Sequence, residues 1–493
     1  MSVMNLCNIG HSFVYELEKL IRIFLPFEKI KMLDSEEEDI RYAVASREIS
    51  GDNCLLFVKL SIDGVTISKS EEISASSEDF EKLCERRLAV LLFECFVELT
   101  DYKPEWGILT GVRPAKLYSR LCASLGKAEA EKYFTEELKV SENKISLCAE
   151  SVCGEESIIA LSKPQSFSLY ISVPFCPTRC SYCSFVSHSV DSAKKLIGQY
   201  VELVCRELEY TAKIAKKCNL QLETVYIGGG TPTTLSAMEL EAVMGTVKRN
   251  FDLSYLREYT VEAGRPDTVT AEKLNAIKNG GATRISINPQ TMVDAVLENI
   301  GRKHTAEQTV QAFRLARSLG FDNINMDLIA GLPGDDFNGF CYTLNEVLQL
   351  DPESVTVHAL SMKRSSNLTT GRKFPELEAG AEAEKMVNYA RDVLEKGGIT
   401  PYYMYRQSKT VGNLENVGYA KKGFECLYNV YIMDETHSIL ACGASAVTKL
   451  REPNGNYIER IFNFKYPYEY ISRFDELLTR KDGIVEFYDK YGF

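Results

Sequence analysis

A regular alternation of short β-branched runs and longer helical stretches, from residue 166 to residue 362, constrains the fold more than any other feature of the sequence. The helical stretches, such as TAEQTVQAFRLARSLG, carry apolar residues at helical spacing. Such alternation builds right-handed βαβ units and a parallel sheet, whose ligands collect at the carboxyl ends of the strands. Six units predict an α/β fold with a partial (β/α)6 barrel. The six predicted strands are SLYISVPF, ETVYIGGG, YTVEAG, TRISINPQ, NINMDLIAGLP and ESVTVHALSM.

Two further sections flank the predicted barrel, which occupies residues 166–362. Residues 1–165 predict an N-terminal α+β domain, with an alternating hairpin in NCLLFVKLSIDGVTISKS and a long helix from Phe80 to about Leu99. The sequence indicates no role for this domain. Residues 363–493 predict a C-terminal α+β extension that covers the substrate. Three domains agree with a length of 493 residues.

Charge and apolar patterning disfavour two classes of partner. The net charge of -12 opposes binding to phosphate backbones, so no nucleic acid is expected. The longest apolar run, residues 88–99, contains Glu94 and is too short to span a bilayer. The N-terminus lacks the pattern of an export signal. We therefore expect a cytoplasmic protein whose 15 cysteines are reduced rather than paired in disulfides.

One group of cysteines is clustered directly after the first predicted strand. Cys176, Cys180 and Cys183 form a C-x3-C-x2-C pattern. Three thiolates supply three of the four positions of a tetrahedral or cubane metal site. A structural zinc ion needs a fourth protein ligand, for which His188 is the near candidate. A four-iron four-sulfur cluster instead keeps one iron open for a small molecule, and the missing fourth thiol favours this interpretation over zinc or unligated thiols.

Polar and glycine residues follow at the ends of the later strands. The segment Gly228–Thr233 has a bare backbone that either forms a tight turn or lets the charged end of a ligand come close. Glu262, Gln290 and Asp327 lie in or at the ends of later strands, and Arg302 opens a helical stretch. Carboxylates suit ammonium and hydroxyl groups, while an arginine pairs with a carboxylate through two hydrogen bonds. Their placement behind the cysteines favours a functional site over solvated charges.

The cysteine pattern after the first strand of a partial barrel resembles the radical S-adenosylmethionine (radical SAM) enzymes. YISVPFCPTRCSYCSF, YIGGGTPTTL, GRKHTAEQ and DLIAGLPGD, in this order, resemble the oxygen-independent coproporphyrinogen III oxidase family. YYMYRQSKTVGNLENVGYAKKG and GILTGVRP are similar to its longer HemZ-type branch, also called coproporphyrinogen dehydrogenase. The resemblance covers the chain from about residue 100 to the end.

The resemblance implies the cofactors and their ligands. Cys176, Cys180 and Cys183 would hold a [4Fe-4S] cluster, whose open iron binds the amino and carboxylate groups of S-adenosyl-L-methionine (SAM). One SAM molecule is implied, or two, with Tyr182 beside the second. The implied SAM contacts are Tyr170, Tyr182, Gly229, Gly230, Thr231, Glu262, Gln290, Arg302 and Asp327.

The resemblance also implies a reaction. One electron cleaves the sulfonium of SAM to a 5'-deoxyadenosyl radical, which removes a hydrogen from a propionate of coproporphyrinogen III. Loss of carbon dioxide and one electron leaves a vinyl group, and a repetition yields protoporphyrinogen IX. A low-potential electron donor such as a flavodoxin or ferredoxin is implied as a partner. The substrate needs aromatic walls and cations, for which Arg406, Gln407 and Asn416 are the candidates in the C-terminal section.

Two departures from the family pattern keep other functions open. Phe185 stands where the decarboxylating oxidase carries another cysteine, and VEAGRPD differs from the Glu-Ala-Asn-Pro common in relatives. These departures leave the SAM chemistry in place and bear on the substrate. The alternatives are a haem-trafficking protein of the same family without decarboxylase activity, favoured by Phe185, and a radical SAM methyltransferase.

Overall fold

The structure is a computed structural model that describes residues 3–33, 39–183, 185, 187–361 and 375–492. Two compact units divide the chain. The first comprises Met1–Glu150, Ala359–Val387 and Met404–Asn416, and the second comprises Ser151–His358, Asn388–Tyr403 and Val417–Phe493. The three sections with boundaries at 165/166 and 362/363 stay a prediction, and the second of these boundaries lies outside the described residues.

A mixed sheet and helices form most of the first unit. Its strands have the order β2-β1-β3-β4-β5, with β1 parallel to β2 and β3, and with β3, β4 and β5 antiparallel. The strands are β1 (Val3–Ile9), β2 (Lys29–Leu33), β3 (Arg41–Ser50), β4 (Asn53–Ile62) and β5 (Val65–Ser74). The first helices of the chain are α1 (Val14–Phe24), α2 (Phe80–Thr100), α3 (Pro114–Leu125), α4 (Lys127–Lys132) and α5 (Glu142–Ile159).

The predicted hairpin and long helix of this unit are confirmed. Asp63 and Gly64, which join β4 to β5, both have positive φ, at 52° and 85°. This is the conformation of a two-residue hairpin turn that Asp-Gly favours. Alternate residues of β4 from Leu56 to Ile62 are buried with the apolar face of α2 in one core. Within it, the rings of Phe24 and Phe96 are stacked with centroids 4.6 Å apart.

The second sheet contains the six strands that the sequence predicts, side by side. Among the described residues it has 11 strands, in the order β14-β15-β13-β12-β11-β10-β9-β6-β16-β17-β18, with parallel pairing from β6 through β9, β10 and β11 to β12. The strands are β6 (Ser166–Val173), β9 (Gln221–Gly229), β10 (Glu258–Glu262), β11 (Arg284–Ser286), β12 (Ile324–Ala330), β13 (Ser354–Ala359), β14 (Thr400–Arg406), β15 (Glu415–Ala420), β16 (Ser438–Cys442), β17 (Val447–Arg451) and β18 (Ile458–Phe462). The short pair β7 (Phe175–Cys176) and β8 (His188–Ser189) stands apart. The partial parallel barrel is therefore confirmed, and the C-terminal section lengthens its sheet at both edges.

Helices follow the strands, as the alternation predicts. Two of them, α7 (Ala237–Asn250) and α10 (Ala306–Ser318), begin with capping boxes, in which Ser236 pairs with Glu239 and Thr305 pairs with Gln308. None of the helices in the described part of the chain is long and apolar enough to cross a membrane. The remaining helices are α6 (Val190–Lys217), α7 (Ala237–Asn250), α8 (Ala271–Asn279), α9 (Asp294–Asn299), α10 (Ala306–Ser318), α11 (Phe337–Gln349), α12 (Pro375–Lys396), α13 (Leu427–Asp434), α14 (Pro467–Ser472), α15 (Phe474–Lys481) and α16 (Gly483–Tyr491).

A buried ionic cluster in the first unit contains the only tryptophan of the sequence. The indole nitrogen of Trp106 donates to Glu415 at 2.6 Å, and the ammonium of Lys144 donates to the other oxygen of Glu415 at 2.7 Å. Lys144 also pairs with Glu105 at 3.0 Å. Burial opposes the charge of Glu415, but Lys144 and Trp106 outweigh it and keep the pKa of this carboxyl below its usual value. The cluster therefore ties together segments that are far apart in sequence.

We expect Lys144→Met to destabilise the first unit by about 3 kcal/mol, because it leaves Glu415 charged and buried without its cation. The measurement is urea unfolding followed by tryptophan fluorescence, since Trp106 reports on this unit alone. The control is Lys82→Met, which removes an exposed ion pair with Asp79 and is expected to leave the unfolding midpoint unchanged. Equal midpoints for Lys144→Met and the control would contradict a stabilising role of the cluster.

Candidate active site at the ends of the parallel strands

The three clustered cysteines lie in the loop that follows β6. Cys176 ends the short strand β7, Cys180 is buried and Cys183 is partly buried. Two hydrogen bonds tie the loop to the segment after α9: the Ser181 amide donates to the Ile300 carbonyl at 3.0 Å, and the Thr178 hydroxyl donates to the Gly301 carbonyl at 2.9 Å. All three thiols thus belong to one anchored loop at the carboxyl end of the first barrel strand.

Hydrogen-bond donors lie beside the thiols of Cys176 and Cys180. The Thr231 hydroxyl is 3.5 Å from the sulfur of Cys176, and a guanidinium nitrogen of Arg265 is 3.9 Å from the sulfur of Cys180. Burial disfavours the charge of Arg302, but Tyr182 and Cys180 outweigh this effect and raise its pKa. Donors and cations of this kind stabilise thiolates, the form in which cysteine binds metals.

The glycine loop after β9 packs directly against the chain that leads to Cys176. The Gly230 amide donates to the Val173 carbonyl at 2.8 Å, and the Thr231 amide donates to the Phe175 carbonyl at 2.7 Å. A Cβ at Gly230 would lie 2.6 Å from the Phe175 oxygen and 2.9 Å from the Val173 oxygen. Gly229 adopts a φ of 107°, a conformation that favours glycine. This loop therefore depends on glycine for both its conformation and its close packing.

Glu262 ends β10 with its carboxylate inside the barrel. The Tyr226 hydroxyl donates to Glu262 at 2.7 Å, and a Cβ at Gly228 would lie 2.8 Å from the same carboxylate. Burial raises the pKa of Glu262 to about 7, an effect that the Tyr226 hydrogen bond partly offsets and the charge of Asp327 reinforces. A half-buried carboxylate with a strongly raised pKa is a candidate functional group.

Three stacked tyrosines line this part of the barrel. Tyr170 and Tyr226 are neighbours on β6 and β9, with ring centroids 6.2 Å apart, and Tyr428 from α13 stacks on Tyr226 at 4.6 Å. Tyr170 was predicted from the sequence, whereas Tyr226 and Tyr428 were not. The even spacing of Tyr226 from Gly228 along an extended strand was a usable signal, whereas nothing in the sequence pointed to Tyr428.

Gln290 lies after β11, Arg302 lies between α9 and α10, and Asp327 lies within β12. The backbone amide of Gln290 donates to the backbone carbonyl of Asp327 at 3.0 Å. The Arg302 guanidinium donates to the backbone carbonyl of Asn288 at 2.7 Å. Asp327 accepts from Asn325 at 2.6 Å and lies 3.8 Å from a ring nitrogen of His358. Burial opposes the charge of Asp327, but His358 and Asn325 outweigh it and lower its pKa.

Two buried polar atoms in this group have no hydrogen-bond partner within the described residues: the side-chain oxygen of Gln290 and the Nε of Arg302. Buried polar groups are nearly always hydrogen-bonded, so atoms of this kind are candidates for contact with a ligand. The predicted SAM contacts all belong to the second unit, and their roles as SAM ligands stay a prediction.

The donor set fits a thiolate-bound iron–sulfur cluster. Within the described residues, no group of three or more histidine, cysteine, aspartate or glutamate side chains is arranged to hold a single metal ion. In a four-iron cubane each thiolate binds a different iron, so the three thiols need not converge on one point. His188, the candidate fourth zinc ligand, has its ring against Tyr466 and Tyr468, with centroids 6.1 Å and 6.5 Å away.

The three candidate substrate residues, Arg406, Gln407 and Asn416, belong to the first unit, whereas the cysteines belong to the second. Arg406 is buried and donates to the carbonyls of Leu109 at 2.6 Å and Asn413 at 3.0 Å. Asn416 is buried and accepts from the Ala359 amide at 3.2 Å. Gln407 is exposed. Their predicted contact with substrate stays a prediction.

Comparison with known proteins agrees with this arrangement. The model of the radical SAM superfamily matches residues 170–347, which include the cysteine loop and the ends of the barrel strands. The oxygen-independent coproporphyrinogen-III oxidase-like protein HemZ of Bacillus subtilis (strain 168) is 34% identical over 480 residues, covering 94% of this chain and 96% of that protein. The heme chaperone HemW of the same organism is 34% identical over 313 residues, covering 61% of this chain and 77% of that protein. Coproporphyrinogen III oxidase (HemN) from Escherichia coli aligns with a TM-score of 0.49 and 20% identity over 65% of this chain and 71% of that chain.

A parallel partial barrel with a three-cysteine loop after its first strand defines a radical SAM protein, the class that uses a [4Fe-4S] cluster and SAM. Within that class, the similarity along nearly the whole chain shows that the protein belongs to the HemZ family of oxygen-independent coproporphyrinogen-III oxidase-like proteins.

We expect Gly230→Ala to weaken SAM binding at least tenfold and to lower the free energy of unfolding by about 1–3 kcal/mol, because the new methyl group overlaps two backbone carbonyls. Isothermal titration with SAM and thermal unfolding measure the two effects. Gly198→Ala is the matched control, since a Cβ at this position in α6 meets nothing within 4 Å. Unchanged SAM affinity in Gly230→Ala would contradict a role of this loop in SAM binding.

Proposed function

We propose that the protein converts two propionates of coproporphyrinogen III to the vinyl groups of protoporphyrinogen IX without oxygen, in the cytoplasm. The observation that carries this proposal is the similarity to an oxidase-like relative over 94% of the chain. The conserved chemistry of the class supplies hydrogen abstraction, and oxidative decarboxylation of a propionate needs that step. The substrate is a porphyrinogen. A low-potential donor such as a flavodoxin or ferredoxin supplies the electron that cleaves SAM, and an electron acceptor takes up the electron released when the substrate radical loses carbon dioxide.

In this proposal, Cys176, Cys180 and Cys183 hold the cluster through their thiolates. When bound, the cluster and SAM together supply a one-electron cleavage that produces a hydrogen-abstracting radical. The Thr231 hydroxyl and the Arg265 guanidinium stabilise two of the thiolates. Support for this assignment comes from the reduced thiols, their donors and the anchoring of the loop.

The strand-end residues bind SAM in this proposal. Glu262 pairs with its ammonium, while Gly229, Gly230 and Thr231 offer backbone groups to its charged end. The remaining polar groups of SAM, in one molecule or in a second, are bound by Arg302, Gln290 and Asp327. Tyr182 lies beside the second SAM molecule. Tyr170 forms part of the wall of the SAM site. The unpartnered Gln290 oxygen and Arg302 Nε support this role, because a polar ligand would satisfy both atoms.

Gln407 is the candidate substrate residue whose exposed side chain leaves it open to a propionate. Arg406 has a different role from Gln407, because its guanidinium already donates to backbone carbonyls. The guanidinium carbon also lies over the Trp106 ring, 5.1 Å from the ring centroid. We propose that Arg406 and Asn416 hold the segment in shape and that Gln407 contacts the substrate. Double hydrogen bonding of a propionate by Arg406 would require it to release those carbonyls.

Haem trafficking without decarboxylation is the second candidate function. Phe185, two residues after Cys183, is 63% exposed, where the sequence pattern of the decarboxylating oxidase has a cysteine. A relative named heme chaperone HemW is 34% identical over 61% of the chain. An exposed aromatic ring beside the cysteine loop suits contact with a flat macrocycle and supplies no thiol for chemistry.

The test is anaerobic turnover of the reconstituted protein with dithionite, SAM and coproporphyrinogen III, followed by mass spectrometry. We expect 5'-deoxyadenosine together with a vinyl product. Cys176→Ser is the control, which is expected to lose both products and to keep its circular dichroism spectrum. Deoxyadenosine without porphyrin change, together with tight haem binding, would overturn the decarboxylase in favour of haem trafficking, and release of S-adenosylhomocysteine would indicate methyl transfer.

We expect SAM binding to weaken as the pH falls below about 7, because protonated Glu262 cannot pair with an ammonium group. Isothermal titration between pH 5.5 and pH 8.5 should show a break near the pKa of this carboxyl. Glu262→Gln should bind SAM more weakly at pH 8.5 and show no break, whereas Glu298→Gln, at an exposed position on α9, should keep it. A break that persists in Glu262→Gln would contradict the assignment.

A further inference from the structure

Arg265, which follows β10, is a buried cation whose guanidinium faces the cysteine loop. The residue is 3% exposed, and one terminal nitrogen lies 3.9 Å from the sulfur of Cys180 and 3.3 Å from the Thr178 carbonyl. The second terminal nitrogen donates to the Thr178 hydroxyl at 3.1 Å. Arg265 is therefore held against the loop by contacts to Thr178 and to the Cys180 thiol.

A carboxylate fixes the orientation of this guanidinium. Asp267 accepts from the Nε and from a terminal nitrogen of Arg265, each at 3.1 Å. This two-point geometry gives the cation one orientation and partly offsets its charge. Substitution of Asp267 is thus a second way to change the charge near Cys180. Its charge is opposite to that of Arg265, and its contacts are to Arg265 rather than to the thiol.

The other charged groups around Cys180 do not cancel Arg265. Arg302, also buried, is a second cation beside the same thiol. His304 lies 4.0 Å from Asp267, and burial together with Arg302 lowers its pKa to about 3, so its ring is neutral near pH 7. These groups thus comprise two positively charged arginines and one negatively charged aspartate. The surroundings of Cys180 are therefore positively charged before any thiol ionises.

We propose that Arg265 sets the reduction potential of the iron–sulfur cluster, by placing a fixed positive charge against the Cys180 ligand and making the cluster easier to reduce. The inference rests on the proposed attachment of the cluster to Cys176, Cys180 and Cys183. Reduction adds one electron from an external donor to the cluster and breaks no bond. The added negative charge is stabilised by a nearby cation, and the stabilisation is strong because burial keeps water from screening it.

The experiment is an EPR-monitored potentiometric titration of the reconstituted protein in the absence of SAM and substrate, so that no turnover is needed. In Arg265→Gln we expect the ratio of reduced to oxidised cluster, at a fixed potential, to fall at least tenfold. For a one-electron couple a tenfold change equals about 59 mV. Arg265→Lys, which keeps the charge, should stay closer to the wild-type potential.

Asp267→Asn supplies the decisive comparison. Both substitutions break the same ion pair, but the removal of Asp267 takes away negative charge and should raise the reduced fraction, opposite to Arg265→Gln. A purely structural role would move both variants in the same direction or leave both potentials unchanged, and either result overturns the proposal. Arg249→Gln removes one positive charge from an exposed position on α7 and is expected to leave the potential unchanged.

The outcomes also separate this inference from the proposed function. A wild-type protein that assembles no four-iron cluster overturns the proposed cofactor site and this inference with it. A wild-type cluster whose potential is the same in Arg265→Gln and Asp267→Asn overturns this inference alone. If Arg265→Gln loses its cluster, Asp267→Asn decides: a higher reduced fraction supports the proposal, and an equal or lower fraction overturns it.

Discussion

Two backbone hydrogen bonds between neighbouring parallel strands hold the candidate site together. The Gly230 and Thr231 amides donate to the carbonyls of Val173 and Phe175, which continues the pairing of β6 with β9 beyond the regular ladder. Cys176 directly follows Phe175 in the chain, so these hydrogen bonds fix the position at which the cysteine loop begins. The same approach leaves no room for a side chain at position 230. Parallel pairing places the remaining strand ends along this edge, which is why polar residues from distant parts of the sequence meet there.

Buried charge is concentrated at this edge, and its cost explains the local structure. A buried ion is stable only when neighbouring groups compensate for its lost hydration. Arg265 is compensated by Asp267, and Asp327 by Asn325 and His358. Glu262 is compensated incompletely, and its pKa rises accordingly. Glu262 and the unpartnered polar atoms of Gln290 and Arg302 are therefore suited to a ligand that carries charges of its own, as SAM does.

The barrel could be predicted from the sequence because its signal is local. Alternation of apolar residues identifies each strand without reference to its neighbours. The predicted SAM contacts came from the resemblance to the radical SAM enzymes together with their positions behind the cysteine pattern. The extension of the sheet at both edges was missed, because the partner of an edge strand is chosen by three-dimensional packing. Tyr428 illustrates the same limit: it stacks on Tyr226 from a helix about two hundred residues later in the chain. Arg265 lies in the VEAGRPD segment, which departs from the family pattern. Its contact with Cys180 could not be predicted, because that contact depends on how two loops fold.

Local sequence patterns specify the strands of the parallel barrel, the Asp63-Gly64 turn and the position of the cysteine pattern after the first strand. These features follow from periodicity and backbone preferences, which act over a few residues. Which side chains share an environment is set by folding, as for Trp106 with Glu415 and Arg265 with Cys180. The physical reason is that pKa values, buried ion pairs and ring stacking depend on distances between residues that the chain brings together only when it folds.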